Sequence, residues 1–247
     1  MKVTPNDNCI NELHTGELII WTIDLSESKK GINFFNSILN KAEINKANAF
    51  RFDKDRDCYV ITRGLLKTLL GFYWNKRPDQ IELEYNSFGK PRLPSRYGLK
   101  FNVSHSQNFS VICFLKDAEV GIDIENCKRD INLMDLAENF FSKKEVENLK
   151  KLPFLERDRA FYRCWTRKEA FIKAEGSGLS FPLKQFAVSL DNDLEAELLN
   201  TYWDEKSKDN WTLKSFVPAE GYLAAIATKG KIDRYVFHEW NDLIYQE

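Results

Sequence analysis

The sequence lacks any apolar run long enough to cross a lipid bilayer. Its longest apolar stretches, such as residues 111–115, fall far short of the ~20 consecutive apolar residues that a membrane-spanning helix needs. The first 11 residues are polar and contain no apolar segment of the kind found in a secretory signal. These absences argue against a membrane-embedded or exported protein, and they predict a cytoplasmic one.

Cysteine is sparse and irregularly spaced. The chain has five cysteines, an odd number, and no two of them stand at Cys-x-x-Cys spacing. A disulfide framework or a zinc site does not fit this pattern, which is typical of reduced thiols in the cytosol.

The sequence also lacks an excess of charge of either sign. Lysine and arginine total 36, aspartate and glutamate total 37, and the formal net charge is -1. Such a balance offers no general attraction to nucleic acid or to a membrane surface, so neither partner is expected. A phosphate ligand would need a local cluster of cations.

The apolar content is high enough for a substantial core. Of the 247 residues, 43% are hydrophobic, which suits one large domain or two small ones. Helical spacing of apolar residues predicts a helix over residues 53–74 and a helical section over 133–175, broken near Ser142 and Pro153. Strands are predicted over residues 18–25, 81–85, 101–105, 109–115, 119–125, 186–190, 211–216, 222–227 and 234–237.

Strands and helices are mixed without strict alternation, which predicts an α+β fold. No long linker divides the chain. The best boundary between two lobes lies near residues 116–119, which predicts an N-terminal lobe of residues 1–117 and a C-terminal lobe of residues 118–247.

Two acids occupy alternate positions in Gly121-Ile122-Asp123-Ile124-Glu125. Because side chains alternate along a strand, Asp123 and Glu125 should project from one face while the isoleucines point into the core. Neighbouring carboxylates repel unless a cation lies between them, and oxygen ligands at this spacing suit Mg²⁺. Two solvated acids on an exposed strand would give the same pattern, so this motif alone does not decide between them.

A second motif places Trp165, Glu169 and Lys173 four residues apart on one stripe of a helix. A carboxylate beside an ammonium can hold a metal and a phosphate oxygen together. An ion pair on a solvated helix face, worth only about 0.3–0.5 kcal/mol, would look the same.

A third motif, Asn102-Val103-Ser104-His105-Ser106, ends a predicted strand. A protonated His105 and the Ser104 hydroxyl can both donate hydrogen bonds to a phosphate. A structural histidine at a turn is an equally good interpretation.

The segment Phe140-Phe141-Ser142-Lys143-Lys144-Glu145 has the pattern of a capping box, in which Ser142 and Glu145 begin a helix together. Glu145 could serve as a general base or only as part of this cap. Phe140 and Phe141 are expected in the core.

In this order and spacing the motifs resemble those of the surfactin-type 4′-phosphopantetheinyl transferases. The resemblance includes Phe88-Gly89-Lys90-Pro91 and covers most of residues 88–183. The pairing of Asp-x-Glu with Trp-x-x-Lys-Glu-x-x-x-Lys is highly specific. The chain length suits the two-lobed form of this family, which is expected to be monomeric.

The resemblance implies an activity and its partners. Two similar α/β lobes would hold coenzyme A in the cleft between them. Using Mg²⁺, or Mn²⁺ in its place, the enzyme would transfer the phosphopantetheine arm to a serine of an apo acyl or peptidyl carrier protein. The helical section over residues 133–155 is a candidate docking face for this carrier, and core is an equally good interpretation of its apolar side chains.

The resemblance also implies a role for each matching residue. The metal is assigned to Asp123, Glu125 and Glu169, and the coenzyme A phosphates to Lys173 and His105 with Ser104 nearby. The remaining assignments are Lys90 at the adenosine end, Lys46 near the 3′-phosphate, Glu145 as the base and Trp165 as a structural residue. Two departures are Glu43, where the best-known member of the family has a lysine, and Gln107, where glycine is frequent.

Two other functions are compatible with the same residues. A metal-dependent pyrophosphohydrolase would use these carboxylates with water as the nucleophile. A coenzyme A-binding or carrier-binding module would bind its ligand without a metal and would tolerate the loss of Glu169.

Overall fold

The computed structural model describes residues 2–5, 13–128, 132–178, 181–240 and 243–246. The described helices are α1 (Leu25–Ser28), α2 (Ile32–Ser37), α3 (Lys41–Asn48), α4 (Asp53–Tyr73), α5 (Leu133–Phe140), α6 (Lys143–Lys151) and α7 (Phe154–Glu175). The described strands are β1 (Lys2–Pro5), β2 (Glu17–Asp24), β3 (Glu84–Tyr85), β4 (Pro91–Arg92), β5 (Leu99–Ser106), β6 (Phe109–Lys116), β7 (Val120–Asn126), β8 (Phe186–Val188), β9 (Leu198–Thr201), β10 (Trp211–Phe216), β11 (Tyr222–Lys229), β12 (Arg234–Glu239) and β13 (Leu243–Gln246). This mixture confirms the α+β prediction.

The first lobe is a four-stranded sheet covered by the long helix α4. The strand order is β12-β2-β6-β5, with β12 parallel to β2 and the other neighbours antiparallel. Because residues of a strand alternate between faces, Ile19 and Trp21 of β2 share one apolar core with Leu65 and Leu69 of α4. This burial explains why apolar residues recur at helical spacing in α4.

The second lobe repeats this plan with a three-stranded antiparallel sheet and the helix α7. The strand order is β10-β11-β7. Leu223 and Ala225 of β11 share a core with Phe161 and Phe171 of α7. Helix α7 ends at Gly176, whose φ of 78° lies in the left-handed region that glycine adopts without steric cost.

The two sheets meet along a third apolar core. Leu18 and Ile20, on the face of β2 that points away from α4, pack with Ile122 and Ile124 of β7. Beside this core, the Asn102 side chain on β5 accepts a hydrogen bond from the Ile122 amide at 2.8 Å. The layers therefore run helix, sheet, sheet, helix, and the two similar lobes that were predicted are present.

Most predicted elements are found with small differences at their ends. The predicted strand over residues 81–85 shrinks to β3, and the one over 186–190 shrinks to β8. The three helices between residues 25 and 48 and strand β9 were not predicted, because segments this short show little periodicity. Among the described helices, none combines the length and the apolar character needed to cross a membrane.

The turn between β6 and β7 contains the predicted boundary between lobes. The late strand β12 nevertheless pairs with β2, so residues 234–239 return to the first sheet, while β13 pairs with β1 in a separate two-stranded sheet. The division into residues 1–117 and 118–247 remains a prediction.

Candidate active site

A cavity of about 470 Å³ lies between the two lobes and gathers the three motifs. Strand β5 contributes from the first lobe, and β7, α5 and α7 contribute from the second. The lining residues are Val103, Ser104, His105, Asp123, Ile124, Glu125, Phe140, Trp165, Glu169 and Lys173. Acids from two distant stretches of chain therefore face one space, as the motifs predicted.

Strand β7 presents Asp123 and Glu125 to hydroxyl groups of β5. The Ser104 hydroxyl donates to Asp123 Oδ1 at 2.9 Å, and the Ser106 hydroxyl donates to Glu125 Oε2 at 2.9 Å. Ile122 and Ile124 are buried on the opposite face, which confirms the predicted alternation. Polar residues at alternate positions of β5 thus match the acids of β7.

Helix α7 carries Trp165, Glu169 and Lys173 along the stripe that faces the cavity. The Lys173 ammonium donates to Asp123 Oδ1 at 2.6 Å and to the Ser104 hydroxyl at 2.9 Å. Its partner is therefore an acid of β7 across the cavity, and the ion pair with Glu169 expected for a solvated helix face is not the contact found.

Gly121 allows β7 and α7 to approach closely enough for this contact. A Cβ atom at residue 121 would lie 2.1 Å from the Ala170 carbonyl oxygen and 2.3 Å from the Ala174 nitrogen. Both are backbone atoms of α7, so any larger residue would force the strand and the helix apart.

The electrostatics of the cavity follow from its burial and its crowded acids. Burial raises the pKa of Glu169 to about 7, and the negative charge of Asp123 adds to this rise. Desolvation lowers the pKa of His105, and the nearby Lys173 ammonium lowers it further. Both shifts favour the uncharged form, that is, the protonated Glu169 carboxyl and the neutral His105 imidazole.

The carboxylates offer free oxygen atoms to a cation. Asp123 Oδ2 and Glu169 Oε1 are buried and accept no hydrogen bond within the described chain, whereas buried carboxylate oxygens are normally paired. Such oxygens are the ligands that Mg²⁺ prefers, so the donor set fits this metal.

The carboxylates are not already arranged as a metal cage. Among the described residues, no three His, Cys, Asp or Glu side chains are grouped closely enough to hold a metal ion. The other carboxylate oxygen of Asp123, Oδ1, already accepts a hydrogen bond from the Lys173 ammonium. A metal would therefore require these side chains to shift towards it.

Glu145 lies outside the cavity lining. The predicted capping box is confirmed, with Ser142 as the N-cap of α6. Both Glu145 carboxylate oxygens accept from the buried Lys168 ammonium at 2.9 Å, and Oε1 also accepts from the Val188 amide. With all these donors and 1% exposure, the geometry favours the capping interpretation over a base.

Lys90 and Lys46 also lie outside the lining of this cavity. The Lys90 ammonium donates to backbone carbonyls of β7 and α7. Lys46 is exposed, with its ammonium 5.4 Å from the centre of the Tyr59 ring. Glu43, the departure from the family pattern, is buried in an ion pair with Lys67 at 3.1 Å.

A second cavity, of about 380 Å³, shares His105 with the first. It is lined by Phe50, Lys54, Asp55, Cys58, Tyr59, His105, Ser106 and Gln107. The α4 residues in this set were not predicted as site residues, because acids and bases that follow one another at the start of a helix are typical of a solvated surface.

Phe140 corrects another expectation. It was predicted to lie in the core, but its side chain is 38% exposed and lines the first cavity, with its ring against Trp165 at a centroid distance of 5.7 Å. Phe141 is buried as predicted. Residue Leu179, at the end of the Trp165 motif, lies outside the described residues.

The fold and the cavity define a two-lobed α+β protein whose acidic cleft also carries a lysine and a histidine. Two family models match the chain. One, described as 4′-phosphopantetheinyl transferase, N-terminal, covers residues 25–115, and the other, the 4′-phosphopantetheinyl transferase superfamily, covers residues 119–227.

Several named proteins are similar in sequence. The chain is 33% identical to the 4′-phosphopantetheinyl transferase HetI of Nostoc sp., over 88% of this chain and 90% of HetI. It is 34% identical to the 4′-phosphopantetheinyl transferase Sfp of Bacillus subtilis, over 64% of this chain and 70% of Sfp. It is 32% identical to the transferase psf-1 of Bacillus pumilus, over 71% of this chain and 74% of that protein. The chain therefore belongs to the 4′-phosphopantetheinyl transferase superfamily.

Proposed function

We propose that this enzyme transfers the 4′-phosphopantetheine arm of coenzyme A to a serine hydroxyl of an apo acyl or peptidyl carrier protein. The reaction would depend on Mg²⁺ and would release adenosine 3′,5′-bisphosphate. Family membership supports the transfer itself. The observation that carries the proposal is the meeting of Asp123, Glu125 and Glu169 with Lys173 and His105 in one cavity.

The charge of the cavity supports a metal requirement. Three carboxylates against one ammonium leave an excess of negative charge when all are ionised. A pyrophosphate is itself anionic, so the cavity would repel it unless a cation came with it. Asp123, Glu125 and Glu169 would hold this cation, and when bound it would stabilise negative charge that develops on the phosphate oxygens.

The other residues of the cavity would bind and align the substrate. Lys173 would donate to a phosphate oxygen, and Ser104 would orient Lys173 through their hydrogen bond. His105 would contact the phosphates from the β5 side. The two substrates would then be aligned directly, so no covalent enzyme intermediate is required.

The transfer breaks one bond and forms one. The serine oxygen attacks the phosphorus that bears the pantetheine arm, and the bond from this phosphorus to the bridging oxygen breaks. The bisphosphate leaves with that oxygen, and the serine proton passes to a group that lines the cavity. Glu145 is no part of this proposal, because its oxygens face Lys168 and the backbone of β8.

We also propose that the enzyme works as a cytoplasmic monomer. The described cysteines, Cys58, Cys113, Cys127 and Cys164, are free, which suits a reducing compartment, while Cys9 lies outside the described residues. The two lobes of one chain already supply both sides of the cavity.

The test is to mix the protein with coenzyme A, Mg²⁺ and an apo carrier protein, and to measure the mass of the carrier. The wild type should add one phosphopantetheine arm. Glu169→Gln and Asp123→Asn should each lower turnover by at least 100-fold, on the order expected when a group that stabilises the transition state is lost. Glu156→Gln, an exposed acid at the far end of α7, is the matched control and should leave turnover unchanged.

Three outcomes would overturn the proposal. Full turnover in Glu169→Gln at ordinary Mg²⁺ concentration would exclude the metal assignment. Consumption of coenzyme A without a carrier would identify a hydrolase instead. Binding of coenzyme A without any transfer would identify a binding module.

A further inference from the structure

The turn formed by residues 86–91 of the first lobe reaches across to the end of α7 in the second lobe. Asn86 holds the turn together, because its side-chain oxygen accepts from the amides of Phe88 and Lys90 at 2.9 Å. The backbone amide of Asn86 also donates to the Lys90 carbonyl at 3.0 Å. The turn is thus a rigid base for the side chains that leave it.

The Asn86 and Lys90 side chains of this turn end on backbone carbonyls near the end of α7. The Lys90 ammonium donates to the Lys173 carbonyl at 2.5 Å, and the side-chain amide of Asn86 donates to the Gly176 carbonyl at 2.8 Å. The last four carbonyls of a helix have no partner within the helix, and a cation is favoured at that end by the helix dipole. The first lobe therefore caps a helix of the second.

Lys90 also fixes strand β7 against the same helix. Its ammonium donates to the Val120 carbonyl at 3.1 Å, next to Gly121, where β7 and α7 are in backbone contact. The Lys90 side chain is half-buried, and this burial lowers the pKa of its ammonium. A desolvated ammonium would be costly without these carbonyl partners.

The residue that receives the Lys90 hydrogen bond is the residue that faces the substrate cavity. Lys173 accepts from Lys90 through its carbonyl, while its own ammonium contacts Asp123 and Ser104. Lys90 lines neither the 470 Å³ cavity nor the 380 Å³ cavity. Its ammonium contacts the backbone of α7 and β7, and the family resemblance assigns it to the adenosine end.

We propose that Lys90 and Asn86 are positioning residues, which cap α7 from the other lobe and thereby place Lys173 in the cavity. This inference rests on the proposed role of Lys173 in binding the coenzyme A phosphates. It assigns the Gly-Lys-Pro turn to the alignment of the two lobes.

A double-mutant cycle tests the inference. Lys90→Met should lower kcat/KM by about 10- to 100-fold, the scale expected when a reacting group moves by about an ångström. In a Lys173→Met background the same change should alter kcat/KM by less than about twofold, because the group that Lys90 positions is gone. Asn86→Ala should act in the same direction, and Lys90→Arg should restore part of the activity.

The control is Lys100→Met. Lys100 lies beside Lys90 in a smaller cavity of about 200 Å³, but it pairs with Glu119 at 2.6 Å and not with α7. Its loss should leave kcat/KM within about twofold of the wild type, since no positioned group depends on it. Melting temperatures of all variants show whether a loss of activity reflects unfolding.

The outcomes separate this inference from the proposed function. If the wild type transfers nothing, the proposed function fails first. If the wild type is active and the effects of Lys90→Met and Lys173→Met simply multiply, Lys90 does not act through Lys173 and the inference is overturned. When turnover of the double variant is too slow to measure, the same cycle is measured by calorimetric titration of coenzyme A. The dissociation constants of the wild type, the two single variants and the double variant then replace kcat/KM.

Discussion

At the scale of single residues, Glu145 and Lys168 form a buried ion pair between α6 and α7. Lys168 belongs to the Trp165 motif, yet its ammonium points away from the cavity, to Glu145 and to the Phe186 carbonyl at 2.7 Å. Both side chains are almost fully buried. The pair joins α6, α7 and β8 into one unit.

Glu145→Gln should therefore lower stability and leave the chemistry intact. The change leaves the Lys168 ammonium buried without a compensating charge, which typically costs about 3–5 kcal/mol. Urea denaturation should show this loss, while the pH profile of kcat keeps its shape. Glu147→Gln, exposed on the same helix, should change neither quantity.

The opposite result would restore Glu145 as a base. In that case kcat would fall steeply, the decline of kcat at low pH would disappear because that limb reports protonation of the base, and the free energy of unfolding would stay close to that of the wild type.

At the scale of elements, the contact between β7 and α7 depends on one missing side chain. Gly121 has no Cβ, so the backbones of the strand and the helix touch. The metal candidates Asp123 and Glu169 lie on these two elements, two residues after Gly121 and one residue before Ala170. The separation of the acids is thus set by the closeness of the backbones.

Gly121→Ala should damage the site as well as the fold. The methyl group meets backbone atoms that cannot rotate away, so overpacking should lower the free energy of unfolding by about 1–3 kcal/mol. The acids should also move apart, raising the Mg²⁺ concentration needed for half-maximal turnover.

Gly64→Ala is the comparison for this prediction, because its new Cβ would meet the Phe35 side chain, 2.4 Å away, in the core of the first lobe. It should lower stability without changing the Mg²⁺ requirement. An unaltered Mg²⁺ requirement in Gly121→Ala as well would show that the spacing of the acids does not depend on residue 121.

The elements also show how far the sequence leads. The long helices α4 and α7 and the strands β2, β5, β6, β7 and β11 were predicted because each repeats its apolar residues over many positions. The acids of β7 and the stripe of α7 followed from the same periodicities. The direction of the Lys90 side chain could not be predicted, since it depends on where the end of α7 lies in space. The position of Phe140 was predicted wrongly, because two adjacent aromatic residues in a sequence do not show which ring is buried and which one lines a cavity.

At the scale of the whole molecule, the lobes share more than a cleft. The third apolar core lies between the two sheets, and β12 returns from the second lobe to pair with β2. Neither lobe can lose its structure without exposing apolar residues of the other.

The protein should consequently unfold in one step on heating. Differential scanning calorimetry should give a single peak, with a calorimetric enthalpy close to the van't Hoff enthalpy, as for a two-state protein. Two resolved peaks, or a van't Hoff enthalpy well below the calorimetric one, would mean that the lobes unfold separately.

The hydroxyl groups of β5 against the acids of β7 have a consequence for how this protein can change over time. Each half holds only part of the chemistry, with the histidine on one side and the carboxylates on the other. A substitution that weakens the contacts between β5 and β7 would lower turnover even when the substituted residue contacts no reacting group. Among natural variants of this protein, the residues that join β5 to β7 should therefore vary as little as the residues that contact the reacting atoms.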